Sequence, residues 1–316
     1  MGTAELACAS LTALHQWDGA EVVAVVTQPD RPRGRKLQPQ PSFVKQCAAD
    51  LGLPVQQPES LRNDAALDAL AQLKPDLIVV TAFGQILPAS VLELPPHGCL
   101  NVHTSLLPRH RGAAPIQWAI LEGDIETGVT IMQMDEGLDT GAIVAMERTA
   151  IDPADNAQTL HDRLAEMGAK LLVKSLPGYL SGELQPRPQP EEGATYARKT
   201  NKTDGWIDWS EPASVLLRRV RAFTPWPGAF TEMPTTDLPR LKIWKAEVAE
   251  GDGQNGQVIA VDELGIVVAC GEKSLRLKVV QREGGKRMTA AEFLRGCPLE
   301  AGAVLGGTSS TSSKTE

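Results

Sequence analysis

The stretch CLNVHTSLLPRHRGAAP, residues 99–115, begins like a buried strand but carries an amide and an imidazole, Asn101 and His103, within its apolar run. Side chains two residues apart on a strand point to the same face, so we expect both groups to project together near the strand's carboxyl end. An amide donor and a titratable nitrogen suit a reaction that develops charge on an oxygen and moves a proton. The alternative is a pair of ordinary hydrogen-bonded polar groups at the end of a strand.

A second set of candidates lies in the loop MDEGLDTG, residues 134–141, which offers Asp135, Glu136 and Asp139. A carboxylate beside His103 would orient the ring and stabilise its charged form. The spacing does not choose among the three acids, and a solvated acidic turn is an equal alternative.

Strands that alternate with helices must position these groups. The runs at 21–27, 76–83 and 99–105 are short and rich in β-branched residues, as buried parallel strands are. FVKQCAADLG and NDAALDALAQL between them have helical spacing. The pattern predicts an α/β domain with a doubly wound, mostly parallel, Rossmann-like sheet. We expect a hairpin or bent strand pair over 128–151 and a long helix over 156–180.

The second half of the chain has a different pattern. Residues 183–205 are polar and rich in Pro and Gly, which indicates a linker after a first domain of residues 1–182. Residues 206–305 carry short strands bounded by Gly or Asp, which predicts a small β-barrel. The Ser- and Thr-rich tail, 306–316, is expected to be disordered.

Composition excludes several classes of protein. The chain has 316 residues, of which 42% are hydrophobic and 22% charged, as in ordinary globular proteins with room for two cores. It has neither an apolar run long enough to cross a bilayer nor a signal pattern, so we expect a cytoplasmic protein. Five cysteines without CxxC spacing argue against a disulfide framework or a zinc site. The net charge of −8 argues against a non-specific DNA binder.

Two basic stretches depart from the acidic average. Residues 27–45 hold five basic side chains against one acidic. Residues 216–230 begin with a predicted helix that carries Arg218, Arg219 and Arg221. Both stretches could bind a polyanion, because contacts with phosphates are local; the alternative is solvated surface. Phe223 and Trp226 are expected to lie in a core rather than to stack on bases.

The sequence NVHTSLLPRHRGAAPIQWAILEGDIETGVTIMQMDEGLDTGAI resembles the catalytic core of the folate-dependent formyltransferases. TQPDRPRGRK, KPDLIVVTAFGQILP, GWIDW and RAFTPWPG extend the resemblance over nearly the whole chain. It implies an enzyme that transfers the formyl group of 10-formyltetrahydrofolate to the α-amino group of methionyl-initiator-tRNA, as a monomer and without a metal. It also implies that the C-terminal domain is an OB-like barrel that helps to bind tRNA.

The resemblance assigns roles to individual residues. The family's Asn-x-His pair matches Asn101 and His103, and its catalytic aspartate, in a Leu-Asp-x-Gly turn, matches Asp139. Segments that border the folate match Ser105, Leu106, Leu107 and Pro108, and Phe83, Gly84, Gln85, Ile86 and Leu87. The basic insertion that meets the tRNA acceptor stem matches Arg31, Arg33, Arg35 and Lys36. We expect Arg218, Arg219 and Arg221 to add to tRNA binding.

Two alternatives to this function remain. Sugar-nucleotide N-formyltransferases share the Asn-x-His core and can carry a C-terminal domain. In the family, an apolar strand also precedes the Met-Gly-Thr with which this sequence begins, so the first strand of the sheet is expected to be missing. If Met1 is an internal methionine, the natural product is longer. If the short start is genuine, the chain is instead a catalytically weak RNA-binding remnant.

Overall fold

The computed structural model of the chain describes residues 1–33, 38–234 and 240–306. Two compact units make up the chain. The first comprises Met1–Ile116, Ile125–Ile151 and Thr159–Arg198, and the second comprises Gln117–Asp124, Asp152–Gln158 and Lys199–Glu316. Of the tail predicted to be disordered, 306–316, residues 307–316 lie outside the described residues.

Helices alternate with short strands over the first 198 residues. In chain order they are α1 (Leu6–Gln16), β1 (Val25–Val26), β2 (Arg31–Arg33), β3 (Gln38–Gln40), α2 (Phe43–Asp50), β4 (Val55–Gln56), α3 (Asp64–Gln72), β5 (Ile78–Val80), α4 (Ala89–Leu92), β6 (Cys99–His103), β7 (Arg111–Gly112), α5 (Pro115–Glu122), β8 (Glu126–Gln133), β9 (Ile143–Ala150), α6 (Ala157–Ser181) and β10 (Tyr196–Ala197).

The helices expected from apolar spacing are confirmed as α2, α3 and α6. Side chains that accept hydrogen bonds from the first turn fix where two of them begin. Ser42 accepts from the amide of Lys45 at the start of α2, and Asn63 accepts from the amide of Ala65 at the start of α3. Such caps satisfy amides that have no partner within the helix.

The sheet that carries the candidate residues has the strand order β5-β6-β8-β9. β6 is therefore central, parallel to β5 and antiparallel to β8. The predicted strand pair over 128–151 is confirmed as the antiparallel pair β8 and β9. Of the three pairings in this sheet, β5–β6 is parallel and the two that involve β8 are antiparallel, whereas β1 and β4 pair in parallel elsewhere in the unit. The expectation of a mostly parallel sheet therefore does not hold for these four strands. The domain is mixed α/β.

Met1 and Gly2 lie between the edges of β1 and β5. The amide of Gly2 donates to Val26 O (2.9 Å), and Met1 O accepts from the amide of Thr81 (3.0 Å). The Met1 ammonium donates to Val79 O at 2.6 Å. Beside them is a largely apolar cavity of about 280 Å³, lined by residues of both strands and of neighbouring helices, among them Leu11, Val25, Leu70, Ile78 and Leu176.

The second unit contains an antiparallel sheet. After a 3-10 turn (Lys202–Gly205) come α7 (Ala213–Ala222), β11 (Ala229–Glu232), β12 (Arg240–Ala249), β13 (Val258–Asp262), β14 (Gly265–Ala269), β15 (Ser274–Arg282), β16 (Met288–Thr289) and α8 (Ala290–Gly296). The strand order is β11-β12-β15-β14-β13, with β16 on β15. No pairing among the described strands closes this sheet, so a barrel is not confirmed.

The core of the second unit lies between this sheet and α7, where Leu216 and Val220 are buried. Phe223 is also buried, as predicted. Trp226 is 49% exposed, so its assignment to the core is wrong. The reason is its place in the turn after α7, past the last residue of the helix face that packs on the sheet. Across the ranges described in both units, no helix combines the length and apolarity needed to span a bilayer.

Candidate active site

Strand β6 carries Asn101 and His103 in the middle of the sheet. Asn101 is paired with Val80 on β5 and with Met132 on β8, and His103 is paired with Thr130 on β8. Because the two residues are two positions apart, their side chains project from the same face. Strands on both sides hold the backbone at Asn101, and β8 holds it at His103, so both groups start from a fixed position.

Asp139 joins these two residues from the loop between β8 and β9. Its Oδ1 accepts a hydrogen bond from Asn101 Nδ2 at 3.2 Å. Its Oδ2 accepts from the backbone amide of Gly112 at 2.8 Å and lies 3.8 Å from His103 Nδ1. The amide, the imidazole and one carboxylate thus form one cluster, in which only 7% of the His103 side chain and 11% of the Asp139 side chain are exposed.

The two nitrogens of His103 have different surroundings. Nε2 lies 2.9 Å from the backbone oxygen of His110. A carbonyl oxygen only accepts, so Nε2 carries a hydrogen and donates it. Nδ1 faces Asp139 and is therefore the nitrogen that can gain or lose a proton.

The other two acids of the loop lie apart from the cluster. Asp135 and Glu136 are exposed. Oδ1 of Asp135 accepts from the amide of Gly137 (3.0 Å) and from the hydroxyl of Thr140 (2.7 Å), which closes the turn. Of the three acids that the sequence left open, the structure brings only Asp139 to Asn101 and His103.

The turn that follows β6 is anchored to β8 by one hydroxyl. Thr130 Oγ1 donates to Ser105 O at 2.7 Å and accepts from the amide of Leu107 at 3.2 Å. Ser105 Oγ donates to Arg109 O at 2.6 Å, and Leu107 is buried, whereas Leu106 and Pro108 are partly exposed. The backbone of this turn therefore has a fixed position beside the cluster on β6.

The segment Phe83, Gly84, Gln85, Ile86 and Leu87 follows β5, the neighbour of β6. Phe83 and Leu87 are core residues, and Ile86 is 74% exposed. Phe83 O accepts from Thr3 Oγ1 (2.8 Å) and from Gln28 Nε2 (2.9 Å). Gly84 has φ +77, and a Cβ there would lie 2.6 Å from the Gln28 amide nitrogen, so a larger residue is disfavoured. The segment presents backbone and one apolar side chain at the surface.

The basic stretch near residue 31 forms the antiparallel hairpin β2–β3. Arg31 and Arg33 lie on β2 and Arg31 is exposed, whereas Arg35 and Lys36 fall outside the described residues. Asp30 fixes the base of the hairpin, because its carboxylate accepts from Lys45 Nζ and Gln57 Nε2, both at 2.8 Å. The hydrogen bond from Lys45 is the main cause that lowers the pKa of Asp30.

The three arginines of α7 each have a partner inside the second unit. Arg218 Nε donates to Leu121 O at 2.9 Å. Arg219 Nη2 pairs with Glu211 at 2.9 Å. Arg221 Nε donates to a backbone oxygen at 2.6 Å, that of Asp155. These bonds give the arginines a role in packing, and their contribution to tRNA binding stays a prediction.

Sequence reasoning missed Gln189, which lies in the segment predicted to be a linker. Its side-chain amide nitrogen donates to the backbone oxygens of Asp139 and Gly141, both at 2.8 Å. No motif or spacing marks this residue, because a lone Gln among Pro-rich residues carries no periodic signal. Within the described ranges, no group of three His, Cys, Asp or Glu residues is arranged to hold a metal ion.

Comparison with known proteins gives two family matches. Residues 1–176 match the model described as "Formyl transferase", and residues 199–298 match "Formyl transferase, C-terminal domain". A methionyl-tRNA formyltransferase of Acidovorax ebreus (strain TPSY) is 52% identical over 96% of this chain and 97% of its own length. One of Aromatoleum aromaticum is also 52% identical, over 95% of this chain and 94% of its own length.

Solved structures with lower identity share the fold. WlaRD, a sugar 3N-formyl transferase solved in the presence of dTDP and 5-N-formyl-THF, has a TM-score of 0.63 at 20% identity and covers 90% of this chain and 97% of that one. HypX from Aquifex aeolicus in complex with tetrahydrofolic acid has a TM-score of 0.57 at 20% identity, over 78% of this chain and 43% of that one. Together with the two family matches and the relatives at about half identity, these findings show that the chain belongs to the formyl transferase family, among the methionyl-tRNA formyltransferases.

Proposed function

We propose that the chain transfers the formyl group of 10-formyltetrahydrofolate to the α-amino group of methionyl-initiator-tRNA, and so serves translation initiation. The observation that carries the proposal is the cluster of Asn101, His103 and Asp139 at the end of a central strand. Relatives that are 52% identical over nearly the whole chain are named for this activity.

The segments beside the cluster suit a folate. A pterin has two flat apolar faces and a polar edge, so it needs an apolar side chain and backbone hydrogen-bonding groups within reach. Ile86 is 74% exposed, and the neighbouring Gly84 is exposed and has no side chain of its own. We propose that this backbone, from Phe83 to Leu87, borders the pterin. The anchored turn of Ser105, Leu106, Leu107 and Pro108 would border the rest of the folate.

Asn101 can stabilise the formyl oxygen, which gains negative charge during the transfer. The amine of methionyl-tRNA attacks the formyl carbon, and the new C–N bond places negative charge on the formyl oxygen until the bond to the folate nitrogen breaks. A side-chain amide carries two N–H donors, and Asp139 accepts one of the two from Asn101. The second can donate to the formyl oxygen. A donor of this kind typically lowers the free-energy barrier of acyl transfer by about 2.7–4 kcal/mol.

His103 and Asp139 can take up and release the proton that moves during the transfer. The attacking amine must lose a proton and the leaving folate nitrogen must gain one. Nδ1 of His103 is the titratable nitrogen, since Nε2 is committed to His110 O. When Nδ1 is protonated, the carboxylate of Asp139 at 3.8 Å stabilises the charge. The pair can therefore hold the proton between its removal from one nitrogen and its delivery to the other.

The tRNA is a polyanion, and the basic residues at the hairpin β2–β3 are suited to contact it. We propose that Arg31, Arg33, Arg35 and Lys36 contact the acceptor stem through phosphates. The second unit, which we propose to be OB-like, would add contacts, together with Arg218, Arg219 and Arg221. We expect the enzyme to act as a monomer in the cytoplasm, where aminoacylated tRNA is made.

A sugar-nucleotide acceptor is the alternative that one fold neighbour favours, since WlaRD is a sugar formyl transferase. A single assay separates the two. The chain is incubated with 10-formyltetrahydrofolate and either charged initiator tRNA or a dTDP-amino sugar, and formylated product is measured. We expect product with the tRNA alone, and loss of it in His103→Ala and Asp139→Ala. Formylation of the sugar but not of the tRNA would overturn the proposal.

A further inference from the structure

We propose that Gln189 is a positioning residue of the formyl-transfer site, which acts by holding the Asp139 loop against the loop of Arg111 and Gly112. The inference rests on the proposed function, because it assumes that the Asp139 carboxylate takes part in the reaction. It concerns a residue of a segment whose composition indicates a linker.

The donor half of the Gln189 side chain holds the turn that presents Asp139. Nε2 donates to the backbone oxygens of Asp139 and Gly141, both at 2.8 Å. Asp139 has φ +54, in the left-handed region that residues with a side chain disfavour. A strained turn needs neighbours that hold it, and Gln189 binds the turn on both sides of Thr140.

The acceptor half of the same amide binds the opposite loop. Gln189 Oε1 accepts from Arg111 Nε at 3.1 Å and from Arg111 Nη2 at 2.9 Å. Arg111 is only 6% exposed. The next residue, Gly112, is the one whose backbone amide donates to Asp139 Oδ2. Gln189 therefore fixes the distance between the carboxylate and the amide that orients it.

The backbone around Gln189 is itself fixed within the first unit. On one side, Arg187 exchanges two backbone hydrogen bonds with Ile143 on β9, at 2.7 and 2.8 Å. On the other side, β10 pairs with β7, and Thr195 O accepts from the amide of Arg111 at 2.9 Å. The segment from residue 187 to residue 197 is thus a strap across the two loops. Because its backbone is held at both ends, a substitution at Gln189 changes the side-chain bridge and leaves the strap in place.

The first test compares Gln189→Glu and Gln189→Ala with a control, Gln185→Ala. Gln189→Glu keeps the size and the acceptor for Arg111 but sets a carboxylate oxygen against two carbonyl oxygens. Gln185 lies just before this strap and is exposed, and among the residues described its side chain bonds only Gly182. We expect both Gln189 variants to lose about 10- to 100-fold in kcat, with KM unchanged for folate and for tRNA, because small displacements of reacting groups cost rate. The control should keep the wild-type kcat.

A double substitution asks whether Gln189 acts through Asp139. In the Asp139→Asn background, measured by single turnover, Gln189→Glu should cause no further loss. Losses that multiply would overturn the inference, and so would a Gln189→Glu enzyme with wild-type kcat. A wild-type chain that does not formylate methionyl-tRNA would instead contradict the proposed function. Thermal unfolding of each variant, with a lowered midpoint that stays well above the assay temperature expected for Gln189→Glu, separates a misplaced Asp139 from an unfolded chain.

Discussion

Nδ1 of His103 lies 3.8 Å from Oδ2 of Asp139, and both side chains are largely removed from solvent, with 7% and 11% exposed. Interactions between charges are stronger where water is excluded, so the Asp139 carboxylate acts on the ring of His103 more strongly than it would at a surface. The same carboxylate oxygen accepts from the amide of Gly112 at 2.8 Å, which orients it. The Asp139 carboxylate that faces His103 is therefore held in place by the backbone amide of Gly112, which lies in another loop.

Asp139→Asn removes this charge while it keeps the shape of the side chain. We expect kcat to fall by about 10²–10³, the range typical for the loss of one preorganised electrostatic group. Steady-state formylation of methionyl-tRNA measures it. Asp135→Asn is the matched control, since Asp135 lies in the same loop and bonds Gly137 and Thr140. Equal losses in the two variants would show that the loop, and not the Asp139 carboxylate, matters.

Gly112→Ala tests how tightly the loop beside Asp139 is packed. Gly112 has φ +110, and a Cβ there would lie 2.8 Å from Ala197 O on β10. Gly193 has φ +81 and open space around it, so Gly193→Ala has a backbone penalty for a positive φ without the clash. That penalty is about 1–2 kcal/mol. We expect Gly112→Ala to destabilise the chain more than Gly193→Ala does in urea unfolding, and to lower kcat. Equal destabilisation would contradict the close approach of β7 and β10.

Much of the site could be predicted from local pattern. The spacing of Asn101 and His103 predicts a shared face because a strand repeats every two residues, and β6 has that geometry. Periodicity also predicted α2, α3 and α6. The three acids of the β8–β9 loop could not be separated by spacing, because which of them turns inward depends on the positive φ of Asp139 and on hydrogen bonds from distant residues.

The rest depends on contacts that no local pattern encodes. Gln189 is joined to Asp139 across a sequence separation of 50 residues, and its neighbours have the composition of a linker. The sheet was expected to be mostly parallel because apolar runs alternate with helices, yet direction is set by pairing partners, and β8 runs opposite to β6. Trp226 is exposed although large aromatic residues are mostly buried, because it lies in a turn beyond the end of α7.

The basic hairpin is expected to bind tRNA and not folate. Substitution of Arg33 and Arg35 by Ala should raise KM for tRNA and leave KM for the folate unchanged. Each phosphate contact that is lost should also make the dependence of tRNA affinity on salt less steep, by about 0.7–0.9 in the log–log slope. Arg62→Ala is the control, since Arg62 is an exposed arginine elsewhere in the first unit. A change in the folate KM would contradict the assignment of the hairpin.

The ammonium of Met1 should make stability depend on pH between about 6 and 8. Burial lowers its pKa from 8.0 to about 6. The unfolded chain therefore binds this proton at a higher pH than the folded chain does. Stability is highest above pH 8 and falls as the pH drops toward 6, by about 2–3 kcal/mol at about 1.4 kcal/mol per pKa unit. Urea midpoints at pH 8 and pH 6 measure the change.

Extending the chain before Met1 by a few apolar β-branched residues tests the same site. The extension replaces the buried ammonium by an amide, which can still donate to Val79 O, and its side chains can fill the cavity between β1 and β5. We expect a higher urea midpoint and a smaller difference between pH 6 and pH 8 than in the unextended chain. A Gly-Ser extension of equal length is the control, because it removes the ammonium but adds no apolar area. Equal midpoints for the two extensions would show that the cavity does not accept a further strand.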